Sequence, residues 1–357
     1  MNHDATTTAG LDLGDSYSQV CLVDDTGEVI EQGRVRTTEA GLRHYFGKCS
    51  AMRVVLEVGT HSPWSSRLLE ELGHQVLVAN ARKVRLIYGN DRKNDRLDAE
   101  ALARLGRLDP TLLSAIRHRG VGTQADLEVI RARAVLVRSR TQLICHVRGA
   151  VKSMGQRLPG CSSDSFGKQI AEVPENLRDA LQPLFACIEQ FTAQIHHCDR
   201  QVEELARTRY PETEPLRTIP GVGPLTAVAY VTTLEDPQRF ACSRQVGAYL
   251  GLAAGQKQSG GRDPQRRITK AGDPYLRQLL VGSAHYIMGP FGPDSALRRW
   301  GLSLSTRGGK NAKKRAAVAV ARKLAVLMHR LWISSQVYTP FPGGGGDVPS
   351  PLTATTG

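Results

Sequence analysis

The order of short apolar runs in the first hundred residues constrains the fold of this chain more than any other feature. Two such runs, Gly10–Gly14 and Gln19–Val23, are followed by a tight turn and by Glu28–Arg36, where apolar and polar residues alternate as in a strand. Runs of this length that are separated by turn residues are typical of strands that pair with their neighbours along the chain. The pattern therefore predicts three antiparallel strands in a meander.

Helix and strand patterns alternate after the meander. The predicted segments are a helix over Thr38–Phe46, a strand over Arg53–Val58, a helix over Ser62–Leu72, a strand over Gln75–Val78, and helices over Asn80–Tyr88 and Asp95–Leu108. A meander followed by alternating helix and strand is the element order of the RNase H-like fold, which RuvC-type nucleases share. We therefore predict an α/β RNase H-like (RuvC-like) domain over residues 1–110.

Two long helical patterns dominate residues 111–212. The first runs over Gln124–Gly155 and carries several arginines, and the second runs over Asn176–Arg207. Apolar residues of the second helix recur at alternating spacings of four and three, which is a heptad seam. The seam consists of Leu184, Ile188, Phe191, Ile195, Cys198, Val202 and Leu205. It favours either a helical hairpin within the chain or an intermolecular coiled coil that would join two copies, and the sequence leaves both open.

The rest of the sequence predicts a mainly α C-terminal domain over residues 213–335 and a disordered tail over residues 336–357. The tail is rich in Gly, Pro and Thr and cannot bury enough apolar surface to order itself. Gly221 and Gly223, in the run IPGVGPLTA, have the spacing of a helix-hairpin-helix turn, in which the backbone approaches a phosphate. The alternative for this run is a plain loop before a helix.

The net charge of +13 and the isoelectric point near 9.6 predict a polyanionic partner, either nucleic acid or an anionic membrane surface. No apolar run is long enough to span a bilayer and the first residues are polar, so we expect a cytoplasmic protein without a membrane partner. Residues 307–330 contain eight Lys or Arg and no acid, which is typical of a surface that contacts backbone phosphates. The candidate contacts are Arg307, Lys310, Lys313, Lys314 and Arg315.

Four acids occupy positions where a charge needs a partner. Asp12 is expected mid-strand in GLDLG, and Glu57 ends the apolar run VVLE. Asp95 and Asp98 are three residues apart and so lie on one face of a helix. In the RNase H-like fold the first and fourth strands are neighbours and the last helix packs across their ends, which brings the four carboxylates together. Such oxygen ligands select Mg²⁺ or Mn²⁺, which can activate the attacking group and stabilise the leaving oxygen of a phosphodiester.

These residues and several longer motifs resemble the DEDD transposases of insertion sequences. The matching segments include GLDLGDS around Asp12, LEVGTHSPW around Glu57, and KNDRLDAEALARL around Asp95 and Asp98. Further matches are PGVGPLTAVAYVTTLEDPQRF and QSGGRDPQRRITKAGDPYLRQLL, and the resemblance extends over roughly residues 9–335. It implies a transposase or site-specific DNA recombinase, in a group of serine recombinases guided by a bridge RNA.

The same resemblance implies that Ser259, in KQSGG, attacks the scissile phosphate and forms a 5′-phosphoserine link. The implied partners are double-stranded DNA, an element-encoded guide RNA and further copies of the chain, as a dimer or a tetramer, at the prokaryotic nucleoid. Read from the residues alone, Ser259 lies in a Gly-rich loop with no His or Asp partner after it, so its assignment depends on the resemblance. Nearby cations would attract a phosphate: Lys257, Arg262, Arg266, Arg267 and Lys270.

Two other functions fit part of the pattern. A structure-selective endonuclease, resembling Holliday-junction resolvases, would use the same carboxylates to cut DNA junctions without rejoining them. A nucleic-acid-binding scaffold is disfavoured, because it gives no reason for four such acids in a basic protein.

The chain also departs from many relatives, which carry basic residues where it has Asp15 and Ala253-Ala254-Gly255.

Overall fold

The computed structural model describes residues 7–80, 94–256 and 266–341. The described chain forms two units, which meet in sequence between Gly120 and Val121. All of its strands belong to the first unit, and the second unit is helical. The finer division that we predict, into four segments, stays a prediction. The helix predicted after Asn80 lies outside the described residues.

The first unit is built on one mixed sheet with the strand order β3-β2-β1-β4-β5. The strands are β1 (Thr8–Asp12), β2 (Tyr17–Val23), β3 (Val29–Arg36), β4 (Arg53–Glu57) and β5 (Gln75–Ala79). β2 is antiparallel to both β1 and β3, whereas β4 is parallel to both β1 and β5. The predicted meander and the adjacency of the first and fourth strands are confirmed, and the sheet with its helices is consistent with an RNase H-like domain.

Helices cover both faces of this sheet. They are α1 (Glu39–Phe46), α2 (Ser62–Glu71) and α3 (Asp95–Leu108). α1 and α2 share a core with one face, in which Phe46 and Leu56 are fully buried. α3 packs on the other face, where Ala99 and Cys21 are fully buried. Because successive strand residues point to opposite faces, β2, β4 and β5 supply residues to both cores.

β1 lies nearer the N-terminus than we predict, and this changes the position of Asp12. The strand begins at Thr8 and ends at Asp12, so the half-buried carboxylate is not mid-strand as predicted. Asp12 pairs with Gln19, and the chain between them turns so tightly that a Cβ atom on Gly14 would lie 2.3 Å from the carbonyl oxygen of Tyr17. The charge of Asp12 therefore lies at the carboxyl end of the central strand, where solvent and other polar groups can reach it.

The second unit begins with two long helices and continues as a helical domain. Its helices are α4 (Val121–Ser153), α5 (Glu175–Thr208), α6 (Thr213–Arg217), α7 (Pro224–Leu234), α8 (Arg244–Tyr249), α9 (Pro274–Met288), α10 (Ala296–Ser305) and α11 (Ala312–Ser334). The hydroxyl of Tyr230, at the centre of the buried helix α7, donates a hydrogen bond of 2.6 Å to the carbonyl of Ala325 in α11. A mainly helical C-terminal part is therefore confirmed.

α4 and α5 pack against each other as an antiparallel helical hairpin. Arg133 of α4 pairs with Asp199 of α5. Arg140, later in α4, donates to the hydroxyl of Thr192, which comes earlier in α5, so the two helices run in opposite directions. Ile188 of the predicted seam is fully buried in a core that α4 and α5 share. The hairpin, one of the two arrangements that the seam left open, is thus present within the chain. A coiled coil between two copies stays a prediction.

The chain after α11 packs back onto the second unit as far as Phe341. The backbone N–H of Tyr338 donates to the hydroxyl of Thr218, and the carbonyl of Pro340 accepts from the N–H of Ala296, each at 2.9 Å. The first residues of the predicted tail are therefore held in place, and its remainder lies outside the described residues. Within the described part of the chain, no helix has both the length and the apolar character needed to cross a bilayer.

Candidate functional site

Two glycines let α3 lie directly on the sheet. A Cβ atom on Gly10 of β1 would lie 1.8 Å from the carbonyl oxygen of Ala99, and one on Gly106 would lie 2.2 Å from Cγ2 of Val55. A larger residue at either position would push the helix off the strands, so these contacts fix the path of α3. Because β1 and α3 run in opposite directions, the first turn of the helix lies over the end of β1, where Asp12 is.

The first turn of α3 carries two of the predicted acids. Asn94 caps the helix, with its side chain accepting a hydrogen bond of 3.1 Å from the N–H of Arg96. Asp95 and Asp98 follow, where the positive end of the helix dipole stabilises acids. Together with Asp12 they form what we term the acidic group, in which one carboxylate oxygen of each residue lies within 4.8 Å of the other two.

The acidic group fits a divalent cation. Two oxygen ligands on opposite sides of Mg²⁺ lie about 4 Å apart, so oxygens within 4.8 Å of one another need only small side-chain adjustments to share an ion. Without a cation, three neighbouring carboxylates repel one another, and part of the folding free energy would be spent on holding them together. Carboxylate oxygens favour hard ions of the Mg²⁺ or Mn²⁺ class over Zn²⁺ or Cu²⁺.

Glu57, the fourth predicted acid, is not a member of the acidic group. It is the half-buried last residue of β4, and Leu56 before it pairs with Leu11 of β1. Asp12 and Glu57 are the next residues after this pair on two parallel strands, so they lie side by side and point to the same face. The backbones of neighbouring strands are about 4.8 Å apart. The structure thus places Glu57 beside the acidic group. Asp15, the extra acid near this site, lies instead on the surface within 3.4 Å of His61.

Two residues that no sequence motif indicated lie at this same level of the sheet. Gln19 of β2 pairs with Asp12, and Arg34 of β3 pairs with Gln19. Residues that pair across strands point to the same face, so both side chains lie on the face that α3 covers. The alternation of β3 was visible in the sequence, but the register that brings Arg34 into line with Asp12 was not.

The predicted serine loop is described only at its two ends. Ser259, Lys257 and Arg262 lie outside the described residues. The flanking segments run side by side, since the N–H of Gly255 donates to the carbonyl of Arg267 at 3.0 Å. Three of the predicted phosphate contacts lie on the second flank and are exposed: Arg266, Arg267 and Lys270.

The turn between α6 and α7 requires its first glycine. Gly221 has a φ of +84°, and a Cβ atom on it would lie 2.8 Å from the ring of Tyr286. Gly223 is exposed and comes directly before α7, which begins with Pro224. The turn therefore presents backbone at the start of a helix, as a helix-hairpin-helix turn would, and its contact with nucleic acid stays a prediction.

The basic segment, which we define as residues 307–330, forms a loop and then most of α11. Its eight cations are all exposed, and none of them forms an ion pair with an acid that the structure describes. The arginines of α4 differ in this respect. Arg131, Arg133 and Arg140 pair with acids, and Arg148 donates to backbone carbonyls. Arg133 and Arg140 thus join α4 to α5, whereas Arg131 pairs within α4 and Arg148 contacts the loop that follows it.

Comparison with known proteins places these features in one family. Residues 9–155 match the family model of the IS110-type DEDD transposase domain, described as Transposase, and residues 213–300 match the model described as Transposase IS116/IS110/IS902 family. A Pseudomonas aeruginosa protein named "Probable family 20 transposase" is 28% identical over 93% of this chain and 98% of its own length. The transposase for insertion sequence element IS1328 of Yersinia enterocolitica is 28% identical over 89% of this chain and 94% of its own. The transposase for IS1111A of Coxiella burnetii is 25% identical over 92% of this chain and 90% of its own.

Proposed function

Because the chain belongs to the IS110/IS116 family of transposases and carries the DEDD-type N-terminal domain of that family, we propose that it moves an insertion sequence by metal-dependent cleavage and exchange of double-stranded DNA. The observation that carries this proposal is the acidic group of Asp12, Asp95 and Asp98 at the end of β1. Acids that repel one another are held together at a cost in stability, and a divalent cation that binds between them offsets that cost.

The four carboxylates would hold Mg²⁺ or Mn²⁺, with Glu57 completing the set from β4. A bound ion of this kind supplies positive charge that stabilises the leaving 3′ oxygen of a phosphodiester and later activates it as a nucleophile. Asp12 and Glu57 are anchored on rigid strands, and Asp95 and Asp98 on the capped first turn of α3. This arrangement fixes the ligand geometry, which is what a site for in-line phosphoryl transfer requires.

Ser259 would supply the first nucleophile. Its hydroxyl oxygen attacks the scissile phosphorus, the bond from phosphorus to the 3′ oxygen breaks, and the 5′ phosphate stays linked to the serine. The released 3′ hydroxyl of another strand then attacks a phosphoserine, which rejoins the DNA and frees the serine. The resemblance to the family supports this role, and the exposed cations Arg266, Arg267 and Lys270 support it by attracting a phosphate.

The proposed partners follow the same reasoning. The exposed cations from Arg307 to Arg330 would contact DNA phosphates without selecting a sequence. An element-encoded RNA would then select the target by base pairing, a role that the resemblance supports. Cleavage and exchange of two duplexes need several active sites, so we propose that the protein acts as a dimer or a tetramer, to which a coiled coil between copies could contribute.

A covalent-adduct assay tests the proposal. The full chain is mixed with Mg²⁺, supercoiled DNA that carries the element junction and target, and RNA transcribed from the non-coding flank of the element. A denaturing gel then detects DNA linked to protein, for the wild type, Ser259→Ala and Asp12→Asn. The matched controls are Ser303→Ala and Asp25→Asn, which change an exposed serine and an exposed loop acid outside the proposed site.

We expect an adduct with the wild type and both controls, and none with Ser259→Ala or Asp12→Asn. Nicked DNA without an adduct, which persists in Ser259→Ala but not in Asp12→Asn, would sink the serine mechanism. That result would identify the hydrolytic nuclease instead. Cleavage that survives in Asp12→Asn would remove the carboxylates from the mechanism.

A further inference from the structure

A cluster of two arginines and a tyrosine lies beside the acidic group, on the same face of the sheet. Arg34 and Arg36 belong to the edge strand β3, and Tyr17 begins the neighbouring strand β2. The Cζ atom of Arg34 lies 4.7 Å from the centroid of the Tyr17 ring, and that of Arg36 lies 5.9 Å from it. We term these three residues the arginine clamp. At these distances the ring quadrupole attracts both guanidinium groups, which restrains two long side chains.

The strand register joins the arginine clamp to the carboxylates in one row. Arg34 pairs with Gln19, Gln19 pairs with Asp12, and Glu57 follows on β4. Neighbouring strands are about 4.8 Å apart, so Arg34 is about 10 Å from Asp12 along the row. One DNA strand rises about 3.4 Å along the helix axis per nucleotide and also turns about that axis, so this separation corresponds to at most about three nucleotides. A strand with its scissile phosphate at the acidic group can therefore reach Arg34.

The charged residues of β3 are sorted by face. Arg34 and Arg36 lie on the face of α3, whereas Glu31 lies on the other face and accepts a hydrogen bond of 2.8 Å from the hydroxyl of Tyr45. Edge strands often carry charges that prevent them from pairing with other chains, but that protection does not require the charges to share a face. The sorting of the cations towards the acidic group therefore indicates an anionic ligand on that face.

The arginine clamp is accessible. Arg34 and Arg36 are exposed, and Tyr17 is 42% exposed. In the described chain, neither arginine forms an ion pair with an acid. Arg96 of α3 adds a cation over the same face, where it donates a hydrogen bond of 2.9 Å to the side chain of Gln32. Guanidinium groups that are not already paired bind phosphate oxygens in a bidentate manner.

We propose that the arginine clamp binds backbone phosphates of the DNA strand that is cut, within about three nucleotides of the scissile phosphate. The inference rests on the proposed function, because it takes the acidic group as the place where DNA is cleaved. Arg34 and Arg36 are positioning residues in this arrangement, and they do not contact the reacting atoms. Tyr17 orders them before DNA binds, so less side-chain entropy is lost when the strand is held.

The salt dependence of DNA binding tests this inference independently of cleavage. The full chain is titrated, without divalent metal, onto a labelled duplex that carries the element junction, over a range of salt concentrations. Log K falls linearly with log salt, and each phosphate contact adds about 0.9 to the steepness of that fall. The double variant Arg34→Gln/Arg36→Gln is therefore expected to make the slope shallower by about 1.8. The matched control is Arg43→Gln/Lys48→Gln, which removes the same charge from α1 and from the residues directly after it, and should leave the slope unchanged.

Tyr17 variants and an RNA probe complete the test. Tyr17→Phe keeps the ring and is expected to bind DNA like the wild type, whereas Tyr17→Leu should bind several-fold more weakly. An unchanged slope in the double variant, with melting like the wild type, would overturn the inference. A slope that falls for a labelled element RNA but not for DNA would overturn it as well. Asp12→Asn is assayed in parallel for cleavage in Mg²⁺, so failure of the proposed function is visible separately from failure of the clamp.

Discussion

Gly10 in β1 lies so close to the carbonyl oxygen of Ala99 in α3 that no side chain fits between them. A Cβ atom at this position would lie 1.8 Å from that oxygen, which is backbone and cannot rotate away. The contact sets the distance between strand and helix, and with it the distance between Asp12 and the two acids of α3. The geometry of the acidic group therefore depends on a residue that carries no functional group.

We expect Gly10→Ala to destabilise the first unit and to abolish metal-dependent cleavage. Overpacking a close contact costs about 1–3 kcal/mol, and the helix must also move away from Asp12. Urea unfolding and the cleavage assay measure the two effects. Gly33→Ala is the matched control, because Gly33 is also a strand glycine but has no atom within 4 Å of its Cβ position. Equal unfolding free energies and equal cleavage for the two variants would contradict this reading of the contact.

We expect Asp95→Asn, in the acidic group, to have opposite effects on thermal stability with and without a divalent metal ion. In chelator, Asp95→Asn should raise the midpoint of thermal unfolding, because it relieves repulsion among three carboxylates. In Mn²⁺, the wild type should gain stability, by about 2.7 kcal/mol when the free ion is at 100 times its dissociation constant, and Asp95→Asn should gain less. Asp25→Asn, in an exposed turn, should follow the wild type in both conditions. An equal response to Mn²⁺ in all three proteins would show that the group binds no ion.

We expect the folded chain to lose stability in alkaline solution because of Tyr210. Its buried hydroxyl donates a hydrogen bond of 2.7 Å to Asp126, which also accepts one from Arg209. Burial, and then the hydrogen bond to Asp126, raises the pKa of Tyr210 to about 12, against about 10 in an unfolded chain. Between these values the unfolded chain has released the proton and the folded chain has kept it, so raising the pH favours unfolding.

The contribution of Tyr210 to stability should therefore be complete below pH 10 and be lost between about pH 10 and 12. The measurement is the difference in unfolding free energy between the wild type and Tyr210→Phe as a function of pH. Other buried tyrosines, such as Tyr230, are present in both proteins, so their ionisation cancels in the difference. A difference that stays constant through this range would contradict the assignment to Tyr210.

The lysines of the basic segment should add affinity for DNA without adding sequence preference. Lys310→Gln/Lys313→Gln/Lys314→Gln is expected to weaken binding to a junction duplex and to a random duplex by the same factor, and to lower the salt slope by about 2.7. The control removes three exposed arginines that already have acid partners: Arg43, Arg131 and Arg207. If this control weakens binding as much as the lysine variant, net charge alone explains the effect.

Much of the first unit could be predicted because its signals are local. The bounds of α3, from Asp95 to Leu108, follow from apolar spacing and from the capping residue Asn94 directly before it. The end of β1 could not be predicted in the same way, since the apolar run continues past Asp12 to Leu13. The strand ends where its pairing with β2 ends, and pairing is a property of two segments together.

In the candidate site, too, residues placed by local sequence could be predicted, whereas those placed by the pairing of two segments could not. Asp12, Asp95 and Asp98 could be proposed from residue type and element order, and the structure brings them together; that they bind metal stays a prediction. The proximity of Arg34 to this site depends on the β2–β3 register, which one strand alone does not specify. The partner of the α5 seam was open for the same reason, because a heptad pattern shows which face is apolar but not what covers it.

The close fit of α3 onto β1 has a consequence for how the protein is made. The ribosome synthesises Asp12 early and the two acids of α3 much later, and the described part of the chain between them includes four strands and two helices. A nascent chain that has not yet docked α3 against Gly10 holds these carboxylates apart and has no site for a metal ion. In the proposed mechanism, a newly made transposase therefore gains the capacity to cut DNA only when the last helix of its first unit docks on the complete sheet.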